Sequence, residues 1–596
     1  MKKRQTILNA VFILLLLALL LTPLALTDTR AGVVSEIDNR KLLDAPLFGE
    51  AGFPADFEAY LGDRIGLRSV MVNAYNLLND AAAGELTHPL YTYGRDGYVF
   101  FKMHDNIPYG SFHRTFAEMV RKMQEYCETR GCRFYFMFEP EKTSVLRRYA
   151  PAGVNYDDSW VDEMTAYMEE LGVQCINNRE LLTELSYREP VFNRQYDAGH
   201  WNDLGCFYAT NHLLRRIGED FPSVTELTPE EFEIGEVLQR TLPVSEFVVN
   251  EAVPSFTWTG SFTDWSSAFY KDLDLDYRYG HIHCYENDTA GAEKLPKILM
   301  FQGSYYNSRP QFLLPRTSEY VGVHNYQNVL NLDYYFNIFQ PEAVVFEVTE
   351  YTFLDLYFDL EGMASVDWNP ALTDARAALE AAEPFTIDEP LALAEGDGLD
   401  RVFLGRRFSD ARYIYLIAGD RVYDLQEDGA GLWETGLPHG AVSPGEEAAL
   451  LVEDYDGKRL RCPVWVREAA DLTDLDVGSS NVTLDPASGG YQLTTDIPRN
   501  RFSSVVLQLL RTDPFEYLTA LDATNHTGGV HGLYLHEEDT GWYCFCLKGN
   551  TNLQDEVVNC WLYLEQGTVY AYSFRVDELD PRHVTLSGFT VLAARS

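Results

Sequence analysis

From about residue 57 to residue 370 the apolar positions alternate between two periods. Phe116, Met119, Val120 and Met123 recur at the spacing of one helix face, which predicts a helix from about Phe112 to Thr129, ended by Gly131. The run Arg133–Phe138 follows as a short buried strand. A second helix over Trp160–Leu171 leads through Gly172 to a strand at Val173–Ile176, and further strands are expected at Lys297–Phe301 and Ala343–Val348. Tyr93–Phe101 reads as a turn feeding a strand, because Gly94 and Gly97 bracket a polar pair ahead of aromatic and β-branched residues. Upstream, Phe57, Tyr60 and Leu61, then Ile65, Leu67, Val70 and Met71, suit one or two amphipathic helices. Such β-α-β alternation predicts an α/β domain with a mostly parallel sheet flanked by helices.

After residue 370 the pattern changes. Ala371–Glu395, rich in Ala, Glu and Pro, reads as a last helix and a linker. Short alternating runs follow, among them Tyr413–Ile417, Leu450–Val452, Pro463–Val466, Trp542–Cys546, Cys560–Leu564 and Thr568–Tyr572, with a hairpin signal at Asp456-Gly457. The expected layout is an N-terminal segment at 1–28, an α/β domain at 29–372, helix and linker at 373–396, a β-sandwich-like domain at 397–470 and a C-terminal β domain at 471–596.

A chain of 596 residues exceeds one hydrophobic core, and its 46% hydrophobic and 13% aromatic content excludes global disorder. With 47 Lys+Arg against 90 Asp+Glu, the formal charge of -43 repels phosphate backbones, so no nucleic-acid partner is expected. Lys2, Lys3 and Arg4 precede an apolar run from about Ile7 to Leu26, which holds that end in the cytoplasm and exports the rest. A single-pass membrane anchor with the bulk of the chain extracytoplasmic is expected; cleavage near Ala25 or Ala31 would instead secrete the protein. Nine cysteines are too few for a disulfide scaffold; Cys127 and Cys132 are close enough in sequence to bridge, with buried free thiols as the equal alternative.

Two segments of the α/β region carry candidate chemistry. In Tyr196-Asp197-Ala198-Gly199-His200-Trp201, ahead of a helix expected over Cys206–Ile217, the Asp197 carboxylate can reach Nδ1 of His200 and leave Nε2 free to take a proton. The alternative is that Asp197 and Asp203 cap that helix and His200 is a packed polar residue. In Ile298–Asn307, Ser304 follows Gln302-Gly303 on the tight turn after a strand, at the sheet edge where α/β folds build sites, with its own N–H available to an oxyanion. The alternative there is an ordinary turn serine. Together the segments supply nucleophile, base and orienting acid.

Asp-x-x-His-Trp followed later by strand-Gly-Ser resembles the SGNH-hydrolase-like domain of the alginate O-acetyltransferase family, of AlgX/AlgJ type, and the related DHHW proteins. The likeness extends to Glu36–Arg40, Asp63–Arg68, Gly94–Phe101 and Glu139–Ser144, and so covers roughly residues 30 to 360. It departs from the family in Gln302-Gly303, where the serine usually follows Gly-Asp, and in spacing Asp and His by two residues rather than one. The resemblance implies an SGNH-like, flavodoxin-like three-layer fold. It further implies an exported serine O-acyltransferase or esterase acting on polysaccharide hydroxyls, with Ser304 as nucleophile, His200 as general base and Asp197 as orienting acid. A transferase would draw acetyl groups from a membrane-bound O-acyltransferase partner.

Gln302, Tyr305 and Asn307 are candidate oxyanion donors and Lys142 a candidate cleft residue. No cofactor or metal is expected: His281 and His283 with Cys284 lack a fourth ligand. Glu347 and Glu350 could form a carboxylate pair, but read more simply as a strand-end rim or as a structural partner for an arginine. Two rival functions stay open, a polysaccharide acetylesterase and a non-catalytic carbohydrate-binding protein using Trp433, Trp465, Trp542, Trp561 and Tyr572 as stacking platforms.

Overall fold

The structure, a computed structural model, describes residues 12–13, 21–29, 34–35 and 40–43, then 53–468 with breaks at 85, 87–90, 103–107, 152, 154–155, 243–247, 270–272, 274–281, 356, 387–390, 396–397, 405–407, 409, 428–432 and 444–445, and beyond residue 480 the backbones of strands only. The apolar run behind the anchor expectation lies mostly outside the described residues. Among those described, no helix is long and apolar enough to cross a membrane.

In chain order the elements that build the α/β region are α1 (Ser111–Thr129), β1 (Arg133–Glu139), α2 (Ser159–Glu170), β2 (Cys175–Asn177), α3 (Asp203–Asp220), the hairpin β3 (Phe232–Thr241) and β4 (Val248–Trp258), β5 (Phe262–Asp264), β6 (Ile282–Asn287), β7 (Ile298–Gln302), β8 (Glu319–His324), α4 (Leu332–Phe339) and β9 (Ala343–Thr349). The seven-stranded sheet runs β2-β1-β9-β7-β8-β6-β5. Its first five strands are parallel, and β6 and β5 add an antiparallel edge.

Period-two alternation within these strands explains the layering. Phe136, Phe138, Leu299, Phe301, Val344, Phe346 and Val348 share one apolar core with α1, α2 and α4. Their neighbours Tyr135, Met137, Ile298, Met300, Ala343 and Val345 share a second core with α3. A sheet whose successive residues enter two cores is covered on both faces, which is why the strands read as continuous apolar runs. The mixed α/β class follows.

The segment expected to be a linker is corrected by the structure. Helix Ala375–Ala381 forms, but Glu383–Pro384 and Leu391–Glu395 are strands, because Leu391 and Leu393 alternate into the next core with no exposure. In the sheet that follows, seven strands close into a ring, and Glu383–Pro384 adds an eighth beside Arg459–Glu468. Arg459–Trp465 pairs with Glu447–Glu453 and Val466–Glu468 with Leu391–Leu393, so the hydrogen-bond ladder forms a ring. Trp433, offered as a glycan platform, is buried in this ring; the side chains of Trp465, Trp542, Trp561 and Tyr572 lie outside the described residues. The ring docks on the α/β region through Asp424, which accepts from Tyr126 Oη at 2.7 Å and pairs with Arg130 at 2.8 Å.

Phe116 is fully buried among Phe136, Phe346, Phe353 and Phe358, with ring centroids 4.7–6.0 Å apart. Phe116→Ala is expected to lower the unfolding free energy by about 3–5 kcal/mol in a urea titration, the usual cost of emptying a phenylalanine site.

Candidate active site

The strand β7 delivers Gly303 and Ser304 to the carboxyl edge of the parallel sheet. The space at Gly303 is tight: an added Cβ would lie 3.3 Å from both Asn325 Nδ2 and Glu347 Oε2. Its amide donates to Glu347 Oε2, and Tyr306 N closes the turn onto Gly303 O at 3.1 Å. The Ser304 and Tyr305 amides donate to no acceptor among the described residues.

The second segment precedes α3, whose N-terminus is capped by Asn202 through its side chain to Gly205 N at 3.0 Å. Asp203 does not cap; it pairs with Arg309 at 3.1 Å and accepts from Phe256 N at 3.0 Å. Asp197 therefore has a different task. It sits in the left-handed region at φ 62° and accepts from the Gly199 and His200 amides at 3.2 and 3.0 Å, an arrangement Asp tolerates better than most residues. Both its oxygens lie 2.9 Å from His200 Nδ1, and His200 Nε2 lies 2.8 Å from Ser304 Oγ. An ionised carboxylate only accepts, so Nδ1 carries the proton and Nε2 accepts from the serine hydroxyl. Burial alone would raise the Asp197 carboxyl; the His200 side chain and the two amides outweigh it and hold the group at about 2.

Trp201 and Arg309 tie the two segments together. Trp201 Nε1 donates to Tyr305 O at 3.1 Å, while the Arg309 guanidinium donates to Trp201 O at 3.1 Å and to Tyr305 O at 3.3 Å.

The other expected site residues are placed differently. Tyr305 is buried and turned away from Ser304 Oγ, donating to Gly199 O at 2.8 Å and lying 5.1 Å, centroid to centroid, from the His200 ring. Gln302 is buried between Tyr320 Oη, which donates to its Oε1, and Asn307 Oδ1, which accepts from its Nε2 at 3.2 Å. Asn307 also accepts His283 Nε2 on its carbonyl at 2.8 Å. Lys142 lines no cleft: it is fully buried and donates to Val99 O, Asp197 O and Arg194 O at 2.8, 3.2 and 3.3 Å. Burial pulls its ammonium down to about 7 against the pull of Asp197 and Glu251. Glu347 and Glu350 form no open pair flanking a cleft. Both are buried, Glu350 accepting from Glu141 N at 2.9 Å and from Ser144 Oγ, and burial pushes Glu347 up to about 8. Cys127 and Cys132 are buried free thiols, and His281 lies outside the described residues.

Sequence reasoning missed Tyr351. Its phenol lies 2.8 Å from Ser304 Oγ, and because that hydroxyl's single proton is directed at His200, Tyr351 is the donor. Burial keeps the phenol well above its usual range and hence neutral. The available signal was its position two residues beyond β9, the parallel neighbour of β7.

No protein-family model matches the chain, and no curated protein sequence does. Among solved structures, PatB1 of Bacillus cereus with a sulfonyl adduct is similar over 44% of this chain and 94% of its own, at 14% identity and TM-score 0.34. The O-acetyltransferase domain of Pseudomonas putida AlgJ is similar over 47% and 99%, at 14% identity and TM-score 0.33. A DHHW family protein from Eubacterium siraeum is similar over 46% and 98%, at 13% identity and TM-score 0.31. Likenesses this weak assign neither family nor activity.

The Asp197 carboxyl is held below its ordinary 3.8, so its contribution to stability is present above about pH 4 and lost as pH falls through about 2. Acid unfolding of Asp197→Asn is expected to lack about 2 kcal/mol of the wild-type decline across that window, measured by chemical denaturation at each pH.

Proposed function

We propose that this chain is an exported, SGNH-like serine O-acetyltransferase acting on hydroxyls of a cell-surface or secreted polysaccharide through an acetyl-serine. The observation that carries the reading is the unbroken hydrogen-bonded series Asp197–His200–Ser304 at the carboxyl edge of a parallel sheet. The polysaccharide acceptor and the export rest on the sequence, through the motif resemblance and the basic-then-apolar start of the chain.

Ser304 Oγ attacks the acetyl carbonyl while its proton passes to His200 Nε2, and the Asp197 carboxylate stabilises the imidazolium that forms. Tyr351 donates to the same oxygen and so supports the negative charge that grows as the proton leaves. The Ser304 and Tyr305 amides, which donate to no acceptor among the described residues, are available to the oxyanion. The donor's leaving group takes the proton from His200, and the acetyl ester stays on Ser304. A sugar hydroxyl then gives its proton to His200, attacks the ester carbonyl, and Ser304 recovers its hydrogen as the acetylated sugar departs. With water as acceptor the same steps make an esterase. In the transferase, a membrane-bound O-acyltransferase supplies the acetyl group from the cytoplasmic side.

Turnover of 4-nitrophenyl acetate by the exported part of the chain is expected to fall by about 10⁴-fold or more in Ser304→Ala and His200→Ala. Tyr351→Phe is expected to lose about 10- to 100-fold in kcat, the worth of one hydrogen bond to a charged group at about 1.5–3 kcal/mol. Wild-type turnover equal to that of Ser304→Ala would refute the reading.

A further inference from the structure

The loop that carries Asp197 is gripped from two sides by groups the mechanism above does not use. On one side three consecutive amides converge on one carboxylate: Arg194 N donates to Glu251 Oε1 at 2.6 Å, and Gln195 N and Tyr196 N donate to Glu251 Oε2 at 2.7 and 2.6 Å. On the other side the Lys142 ammonium holds the carbonyls of Arg194 and Asp197 and, through Val99 O, the strand that the loop lies against. The acceptor comes from β4 of the projecting hairpin and the donor from the short helix after β1. Neither group touches Ser304 or the imidazole. Gly199 completes the fit, since a Cβ there would sit 2.4 Å from the Phe101 ring.

We propose that Glu251 and Lys142 are positioning residues, an accepting and a donating jaw that hold the 194–197 backbone in the one conformation that aims the Asp197 carboxylate at His200 Nδ1. The inference rests on the function proposed above. The left-handed backbone of Asp197 makes the clamp necessary, because a non-glycine residue leaves that region unless its surroundings over-determine it. A carboxylate suits the first jaw because it offers acceptors only, so Glu251→Gln turns an NH₂ toward backbone donors. The ionisable groups around the pair are Tyr305, 5.1 Å from the imidazole, Tyr351 across Ser304, and Tyr91, Tyr196 and Lys142, which act on the Asp197 charge.

The test is the rate at which phenylmethylsulfonyl fluoride labels Ser304 in the full exported chain, followed by intact-mass spectrometry across pH 5–9. It needs no natural substrate. In Glu251→Gln the rate is expected to fall about 10- to 100-fold, as for a misplacement of about 1 Å. The acidic limb of its pH profile should also move to lower pH, because an imidazolium deprived of its carboxylate is less stable. Lys142→Met should move both in the same direction, whereas Glu236→Gln, an equal charge change on the exposed partner strand β3, should match wild type. Circular dichroism identifies a variant that has lost its fold, in which case the other jaw carries the test. Folded jaw variants that label at the wild-type rate and midpoint would overturn the clamp and leave the proposed function standing. Wild type unlabelled at Ser304 would overturn both.

Discussion

The 2.8 Å hydrogen bond between His200 Nε2 and Ser304 Oγ joins two loops 104 residues apart in the chain, and the α/β region is built so that this bond can form. One loop leaves β7 in the middle of the sheet and the other enters α3 on one of its faces. Their separation is fixed by the core that packs α3 against Ile298, Met300 and Val345, all essentially unexposed. Arg309 and Trp201 then lock the loops to each other through backbone carbonyls, leaving the imidazole little freedom.

Electrostatics around this bond follows from burial. The one carboxylate at the imidazole, Asp197, keeps its charge because a histidine and two amides compensate its desolvation, while Glu347 behind the serine turn and Glu350 beneath the 141–144 turn have too little compensation and rise. Negative charge is thus favoured beside His200 and disfavoured at Glu347, which accepts from Gly303 N.

The two loops were legible in the sequence because each is a local device. Asp197-Ala198-Gly199-His200 folds back on its own amides, and Gly303-Ser304 follows a run that can only be a buried strand. Tyr351 was not legible, since its contact with Ser304 depends on the register that sets Ile298 opposite Ala343, which no local pattern encodes. Glu251 was hidden for the same reason: it reaches the 194–196 amides only because the β3–β4 hairpin lies across them. Lys142 read as a cleft residue, and its buried place was hidden because its acceptors are carbonyls of distant segments rather than a neighbouring acid. Farther on, alternation marked the strands but not their pairing, so the closure through Arg459–Glu468 was not foreseen and Leu391–Glu395 was read as a linker.

In the proposed reaction Ser304 is the group that carries the acetyl. The direct measurement is peptide mass spectrometry of the protein quenched in acid within the first turnover of an activated acetyl ester. One acetyl group is expected on the peptide containing Ser304, accumulating in wild type and absent from His200→Ala. An acetyl group on another residue, or none while ester is being consumed, would contradict it.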